Sequence, residues 1–170
     1  FDGIDMAIAN EIAKDNSMEA KISNMEFDSL LIALQNGQVD AVIAGMTDTE
    51  ERRLSIDFTD EYYRSELVLI TSKSVADLYT GSLSETEFAQ LIKNKMIVSQ
   101  SMTVTDDVIE IFEEKYGAIH NNPVSSFALA AQDVVSGAAF AMTAELPVAK
   151  SIISTLDTLG IIHMDQSILG

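Results

Sequence analysis

The hydrophobic pattern of the first 71 residues alternates between helical and strand-like periods. Apolar residues at positions 4, 7, 8 and 12 share one face of a helix, which we expect to end near Asn16. A strand is predicted over residues 20–24, and a second helix over residues 29–36, with Gly37 suited to its C-cap. Short apolar runs predict strands over residues 41–44 and 66–71, and Thr49 between them is suited to cap a short helix.

The second half of the chain repeats this alternation. Ser84 and Glu87 form a capping-box pattern ahead of a helix to about residue 94. Strands are predicted over residues 96–99 and 139–142, helices over residues 103–116 and 126–136, and Pro147 suits the first turn of a last helix. Strands alternating with helices predict an α/β fold with parallel sheets. We expect lobe 1 over residues 1–70, a hinge over residues 71–74 and lobe 2 over residues 75–170.

A helix–glycine–strand unit recurs at an offset of 100 residues, so that Gly37 corresponds to Gly137 and Gly45 to Glu145. A generic unit of this kind accounts for the offset as well as a true repeat does. If the repeat is real, both lobes present the loop after an equivalent strand. Ligands of open α/β sheets bind outside the carboxyl ends of such strands, and the two loops would then face each other across a cleft.

Composition and charge exclude several classes of function. The 170 residues are 47% hydrophobic, which is enough for one or two small cores, and no apolar run approaches the roughly 20 residues of a membrane-spanning helix. The absence of cysteine excludes disulfides, thiolate metal sites and cysteine nucleophiles. A formal net charge of −17 argues against nucleic acid or an anionic membrane as partner, although an acidic surface also serves solubility alone.

Residues 40–63 contain the clearest candidate chemistry. Gly45 interrupts the predicted strand, Thr47 and Thr49 follow, and Arg52 falls on the first turn of the short helix. A guanidinium beside unpaired N–H groups and a threonine hydroxyl is suited to hold a carboxylate. The segment has no nucleophile and no metal-ligand spacing, and the two histidines of the chain lack spaced partners. We therefore expect an anion to be bound, with no metal and no cofactor.

Three segments resemble a known family: FDGIDMAIANEIAKD, MEFDSLLIALQNGQVDAVIAGMTDTEERRLSIDFTDEYY and FAMTAELPVA. They are similar to extracytoplasmic solute-binding proteins of family 3, the binding subunits of ABC importers for polar amino acids. The resemblance implies a type II periplasmic-binding-protein fold, in which two α/β lobes joined by two hinge strands close around one ligand. It also implies that the chain is a fragment, whose first strand and C-terminal return segment lie outside the sequence.

The resemblance implies ligand contacts in lobe 1. Arg52 would pair with the α-carboxylate of an amino acid, and Thr47 would add backbone and hydroxyl contacts. The carbonyl of Gly45 would accept from the α-ammonium, and Phe27 would pack on the ligand side chain. The alternatives are that Arg52 is a surface arginine paired with a neighbouring acid and that Phe27 belongs to the core.

In lobe 2 the resemblance assigns the α-ammonium to Glu145, which is otherwise a helix N-terminal acid favoured by the macrodipole. Thr103 would meet the carboxylate from the other side, with Gln100 and Met102 in the same loop. That loop, QSMTVT, departs from the family pattern because it lacks the usual glycines. The polar groups of both lobes suit a polar or cationic ligand.

The implied function is to bind a free amino acid outside the cytoplasm, as a periplasmic protein or a cell-surface lipoprotein, and to deliver it to an ABC permease. We expect a monomer without enzymatic activity, made from a precursor with a signal peptide. One alternative is a ligand-sensing extracytoplasmic domain of a signalling protein. Another is a dehydratase on the same fold, with Glu145 or Glu50 as general acid.

Overall fold

The computed structural model describes residues 3–169. The chain divides into two compact units, Phe1–Tyr63 and Arg64–Gly170. None of the helices in the described residues is long and apolar enough to cross a membrane.

The first unit contains the predicted helices. Helix α1 spans Ile4–Asp15, a 3-10 turn at Phe27–Ser29 leads into α2 at Leu30–Gln35, and α3 spans Glu50–Arg53. Gly37 follows the C-cap of α2 in the left-handed region, with φ of 65°. The Gly37 and Gln38 N–H groups donate to the carbonyls of Leu34 and Ala33 at 3.0 and 2.9 Å, which closes the helix in a Schellman motif.

The strands predicted over residues 20–24 and 41–44 are wrong. Both segments are irregular, and neither takes part in a β-ladder within the described residues. A strand exists only with a hydrogen-bonded neighbour, which apolar patterning within one segment does not supply. The first unit also buries few apolar side chains. Ala33 alone among its described hydrophobic residues is buried, while Ile12 and Ile32 are 54% and 60% exposed.

The second unit is built around one sheet with the strand order β2-β6-β1-β5-β3-β4. The strands are β1 Leu67–Ser72, β2 Ser82–Leu83, β3 Met96–Val98, β4 Ile119–His120, β5 Ala141–Glu145 and β6 Leu159–Met164. The helices are α4 Lys73–Ala76, α5 Glu85–Ile92, α6 Val104–Tyr116, α7 Phe127–Ser136 and α8 Leu146–Thr155, and a 3-10 turn follows at Gln166–Leu169. The predicted capping box of Ser84 and Glu87 is confirmed at the start of α5.

The sheet is mixed, whereas the sequence pattern predicts parallel strands. β3 runs parallel to β4 and β5, and β2 runs parallel to β6, but β1 is antiparallel to both β5 and β6. Each parallel pair is connected through helices, as parallel crossovers require. The neighbours of β1 lie far along the chain, so no single crossover fixes the direction of β1.

The core lies on both faces of this sheet. On one face Phe88 meets Phe112 and Tyr116 edge-on, at ring-centroid distances of 4.7 and 5.7 Å. On the other face β1 contributes Val68 and Ile70 to a cluster with α7 and α8. The central strand is therefore apolar on both sides, which explains its uninterrupted run of hydrophobic residues.

The division between the units falls at residues 63 and 64, ahead of the predicted hinge over residues 71–74. Thr71 and Ser72 end β1, and Lys73 begins α4. The Thr71 side chain is 1% exposed, and its hydroxyl donates to the Phe140 carbonyl at 2.7 Å. Residues 71–74 thus form the end of β1 and the first turn of α4, and the hinge itself stays a prediction. The closing elements after α8, β6 and the last 3-10 turn, have no counterpart in the sequence prediction.

Candidate functional site

The loop before α3 brings three of the predicted ligand residues together. Thr49 caps α3, and its hydroxyl accepts from the Arg52 N–H at 3.3 Å. The Arg52 guanidinium donates from Nη1 to the Thr47 carbonyl at 2.7 Å, and its Cζ lies 5.8 Å from the Phe27 ring centroid. Because the turn and the ring both contact it, the half-buried guanidinium is held beside the loop that precedes it.

Gly45 has a φ of 57°, in the left-handed region that a side chain would strain. Its N–H donates to the Tyr62 hydroxyl at 3.0 Å, and that hydroxyl donates to Asp5 Oδ1 at 3.0 Å. Tyr62 therefore links the loop to helix α1. No local pattern in the sequence indicates this hydrogen bond, which joins residues 17 positions apart.

The arginine next to Arg52 has a different role. The Arg53 guanidinium donates to both carboxylate oxygens of Asp48. This two-point hydrogen bond lowers the pKa of Asp48 and raises that of Arg53. Asp48 is thus bonded to Arg53, the neighbour of Arg52. The ion pair of Arg53 stabilises the turn, and Arg52 is held by Thr47 and Phe27.

The predicted ligand residues of the second unit collect at one edge of the sheet. β3 and β5 are parallel neighbours, with Val98 opposite Met142, so their carboxyl ends share that edge. The loop after β3 carries Gln100, Met102 and Thr103, and Thr103 is the N-cap of α6. Glu145 ends β5 and is the N-cap of α8.

The loop after β3 is tightly bonded. The Gln100 side chain is 8% exposed and donates from Nε2 to the Ser125 carbonyl at 3.0 Å. The Thr103 hydroxyl is buried and donates to the Gln100 carbonyl at 2.8 Å. Between them Met102 adopts a φ of 61°, and its side chain is 62% exposed. The missing family glycines therefore leave a methionine in a left-handed turn conformation.

Glu145 is the electrostatically unusual group of this edge. Burial raises the pKa of its half-buried carboxyl, because the charged form loses solvation. Among the described residues no lysine, arginine or histidine forms an ion pair with it, and its side chain does not cap α8. A partly desolvated carboxylate without a cation favours an incoming positive charge.

Metal ligation has no support in the described residues, where no three His, Asp or Glu side chains cluster as metal ligands do. His120 Nε2 lies 2.9 Å from Asp106 Oδ1, and His163 Nδ1 lies 2.8 Å from Glu66 Oε1. Each histidine is thus engaged by a single carboxylate within the second unit.

The arginine held beside its loop and the Glu145 carboxylate at the strand ends of a mixed α/β sheet are groups that the resemblance predicts for a solute-binding protein. The chain belongs to the bacterial extracellular solute-binding proteins, family 3, whose family model matches residues 1–151. The predicted family and fold class are thereby confirmed.

Relatives within this family are amino-acid-binding proteins. The chain is 39% identical over 71 residues to the arginine-binding extracellular protein ArtP of Bacillus subtilis. The matched segment covers 42% of this chain and 28% of ArtP. It superposes on the amino acid ABC transporter substrate-binding protein AbpA of Streptococcus pneumoniae bound to L-arginine, with a TM-score of 0.81 and 27% identity. That match covers 95% of this chain and 64% of AbpA, so the chain spans less than two thirds of either relative.

One structural relative connects the fold to catalysis. An ancestral amino-acid-binding protein, described as a precursor of cyclohexadienyl dehydratase, matches with a TM-score of 0.79 and 28% identity over 93% of this chain and 65% of that one. An amino-acid-binding protein that is described as the precursor of an enzyme therefore shares this architecture.

Proposed function

We propose that the protein binds a free amino acid, with the loop of Thr47 and Arg52 taking the α-carboxylate and Glu145 taking the α-ammonium. The observation that carries this proposal is the half-buried Glu145 carboxylate, whose pKa is raised and which has no cationic partner among the described residues. Phe27 lies beside the Arg52 guanidinium and would contact the ligand side chain. Gly45, Gln100, Met102 and Thr103 would complete the site.

The energetics of such a site are favourable. Each charge-assisted hydrogen bond to a ligand contributes about 1.5–3 kcal/mol. Micromolar affinity requires about 8 kcal/mol after association costs of several kcal/mol. A carboxylate bound by Arg52 and the Thr47 turn, together with an ammonium bound by Glu145, supplies several such bonds at the two ends of a zwitterion.

L-arginine is the first ligand to test. ArtP is named for arginine and AbpA was solved with L-arginine. A net charge of −17 also favours the approach of a cationic amino acid over an anionic one. A thermal-shift screen of the twenty amino acids would rank the ligands, because a ligand bound to the folded state alone raises its stability.

The decisive variant is Arg52→Ala, measured by titration calorimetry with the ligand that ranks first. We expect binding to be abolished, because the carboxylate loses its guanidinium. Arg53→Ala is the matched control: it removes the adjacent arginine, which is bonded to Asp48, and is expected to keep most of the affinity. Unchanged affinity in Arg52→Ala would refute the proposed site.

The cellular role follows from the same proposal. The protein would act outside the cytoplasm, in the periplasm or anchored to the cell surface, as a monomer that delivers its amino acid to an ABC permease. The alternative role is the sensory domain of a signalling protein. Co-purification with permease subunits would support the transport role. A kinase segment on the same polypeptide would support the sensory role.

One observation favours a second candidate. A carboxyl group with a raised pKa, such as Glu145, is suited to act as a general acid, and one relative is the precursor of a dehydratase. Glu145 would then protonate the hydroxyl group of a cyclic acid, which leaves as water while the ring carboxylate leaves as carbon dioxide and its bonding pair completes the aromatic ring. Incubation with prephenate, followed by ultraviolet absorbance of an aromatic product, tests this. Binding of an amino acid without turnover of prephenate would leave the protein a receptor.

A further inference from the structure

A network of four buried hydroxyl groups lies beneath the ligand edge of the second unit. It comprises Ser99, Thr103, Thr105 and Thr143, each at most 6% exposed, and is called the hydroxyl network below. Ser99 Oγ lies 2.6 Å from Thr105 Oγ1, which lies 2.7 Å from Thr103 Oγ1. The Thr143 hydroxyl joins by donating to the Thr105 carbonyl at 2.8 Å.

The direction of these hydrogen bonds is fixed by counting protons. A hydroxyl has one proton to donate, and Thr103 gives its proton to the Gln100 carbonyl. Thr103 therefore accepts from Thr105, and Thr105 in turn accepts from Ser99. The protons of these three hydroxyl groups thus point from Ser99, just after β3, through Thr105 on α6 and Thr103 to the Gln100 carbonyl. A buried polar chain satisfied in one direction holds its members in one arrangement.

The network joins the two segments of this unit that carry ligand residues. Thr143 lies on β5 two residues before Glu145, so both side chains emerge on the same face of the strand. Ser99 lies one residue beyond Val98, which pairs with Met142, and leads into the loop of Gln100. The only side-chain hydrogen bond that the structure gives Thr143 thus ties the Glu145 strand to the first turn of α6.

The turn that the network holds is strained. Met102, between Gln100 and Thr103, has a φ of 61°, which costs a residue with a side chain free energy relative to the right-handed region. Such conformations persist where the surrounding hydrogen bonds over-determine them, and they concentrate at ligand sites. The Thr103 bond to the Gln100 carbonyl spans this strained residue directly.

We propose that the hydroxyl network is the positioning device of the binding site, and that Thr143, Thr105 and Ser99 set the distance between Glu145 and the turn of residues 100–103. This inference rests on the proposed function. Ser99, Thr105 and Thr143 act through Glu145 and Thr103, and they do not touch the ligand themselves. Ligand groups held within about 0.5 Å bind well, and their affinity falls when the supporting shell loosens.

The test uses L-arginine titrated into the full chain. Thr143→Val keeps the shape of the side chain and removes the hydroxyl, and we expect affinity to fall about tenfold. Thr143→Ser restores the hydroxyl and is expected to bind within about twofold of wild type. Thr71→Val is the matched control, because Thr71 is also buried in the sheet and donates to the Phe140 carbonyl at 2.7 Å. Thr71 pairs with Ala141, at the other end of β1 from Leu67, which pairs with Glu145.

Stability alone does not separate these variants, because Thr143→Val and Thr71→Val each lose one buried hydrogen bond and should lower the melting temperature by similar amounts. The affinity does separate them: a purely structural threonine leaves it unchanged. Equal affinities in Thr143→Val and Thr71→Val would overturn the inference. If Thr143→Val does not fold, Ser99→Ala decides, since its affinity should fall about threefold, and wild-type affinity in that variant overturns the inference.

Failure of the proposed function has a different signature. Wild-type protein would then bind neither L-arginine nor any of the other nineteen amino acids in the thermal-shift screen. Wild-type binding together with unaffected hydroxyl variants leaves the function standing and removes the positioning role alone.

Discussion

Glu145 places the demands of folding and of binding in opposition. Burial raises the pKa of its carboxyl, so the folded protein holds this proton to a higher pH than the unfolded chain does. The free energy of unfolding of the ligand-free protein therefore falls as pH rises from the ordinary value of a glutamate through the raised one. Above that window the charged carboxylate destabilises the fold, and under the proposed function a cationic ligand group would compensate for this cost.

We expect Glu145→Gln to stabilise the ligand-free protein at neutral pH and to remove this decline with pH. The same change should weaken the binding of L-arginine by tenfold or more, since a charge-assisted bond of about 1.5–3 kcal/mol is lost. Thermal melts over a pH series and calorimetric titrations measure the two effects. Glu110→Gln, an exposed change on α6, is the control for charge alone. A destabilised Glu145→Gln protein would contradict the expectation.

Tyr62 is expected to support the Gly45 loop without touching the ligand. Tyr62→Phe removes the hydroxyl that connects the Gly45 N–H to Asp5. The loss of these bonds, worth about 0.5–1.5 kcal/mol each, should weaken ligand binding about fivefold with little change in circular dichroism. Tyr63→Phe, made at the next tyrosine, which is also exposed, should bind as wild type does. Equal affinities in the two variants would show that the Tyr62 hydroxyl is dispensable.

Among contacts between individual residues, the sequence predicts those whose partners lie close together along the chain. Thr47, Thr49 and Arg52 fall within six residues, and their hydrogen bonds follow from a helix cap that residue types indicate. The contacts of Tyr62 with Gly45 and of Thr143 with Thr105 join residues 17 and 38 positions apart. No local pattern encodes such pairs, because they depend on how the elements pack.

Helix α4 and strand β6 pack closely against each other at Gly160. A Cβ added at Gly160 would lie 2.6 Å from the Ala76 Cβ, closer than two carbon atoms approach in folded proteins. We expect Gly160→Ala to lower the free energy of unfolding by about 1–3 kcal/mol, because α4 must move away from the sheet. Urea denaturation measures this change.

A double-mutant cycle tests the cause. Ala76→Gly alone should cost about 1 kcal/mol through helix propensity, but it removes the atom that the new methyl group meets. Ala76→Gly combined with Gly160→Ala should therefore be more stable than the sum of the two single changes predicts. Strict additivity would assign the cost to something other than this contact.

Element prediction succeeds where the signal is local and fails where it is not. The capping box of Ser84 and the glycine ends of α2 and α7 mark helix boundaries from a few residues. The segments at residues 20–24 and 41–44 have strand-like residues but no neighbouring strand. The converse holds for β6, which has a neighbouring strand but a weak local signal. Its partner β1 begins about 90 residues earlier, and Gly160 interrupts its apolar run.

At the scale of the whole molecule the two units differ in how much they bury. Apart from Ala33, the buried hydrophobic residues in the described part of the chain all belong to the second unit. Residues 19–26 and 39–44 of the first unit donate no backbone hydrogen bond in the structure, whereas β1 is bonded on both sides. Local stability is therefore concentrated after residue 63.

Native-state hydrogen exchange should resolve this difference. Amide protons of β1 and β5 are expected to exchange at the rate set by global unfolding, and those of residues 19–26 and 39–44 within seconds to minutes. Mass spectrometry of peptides from a quenched exchange series gives both rates from one sample. Strong protection of residues 39–44 would show that this segment gains a hydrogen-bonded neighbour in solution.

The exposed side chain of Met102 offers a practical use of the strained turn. Position 102 lies next to Thr103 in the candidate site, its side chain is 62% exposed, and the protein contains no cysteine. A cysteine introduced there would be the single thiol of the chain, and an environment-sensitive dye attached to it would lie beside the proposed ligand site. The change in its fluorescence on titration with an amino acid would make the protein a reagentless optical sensor.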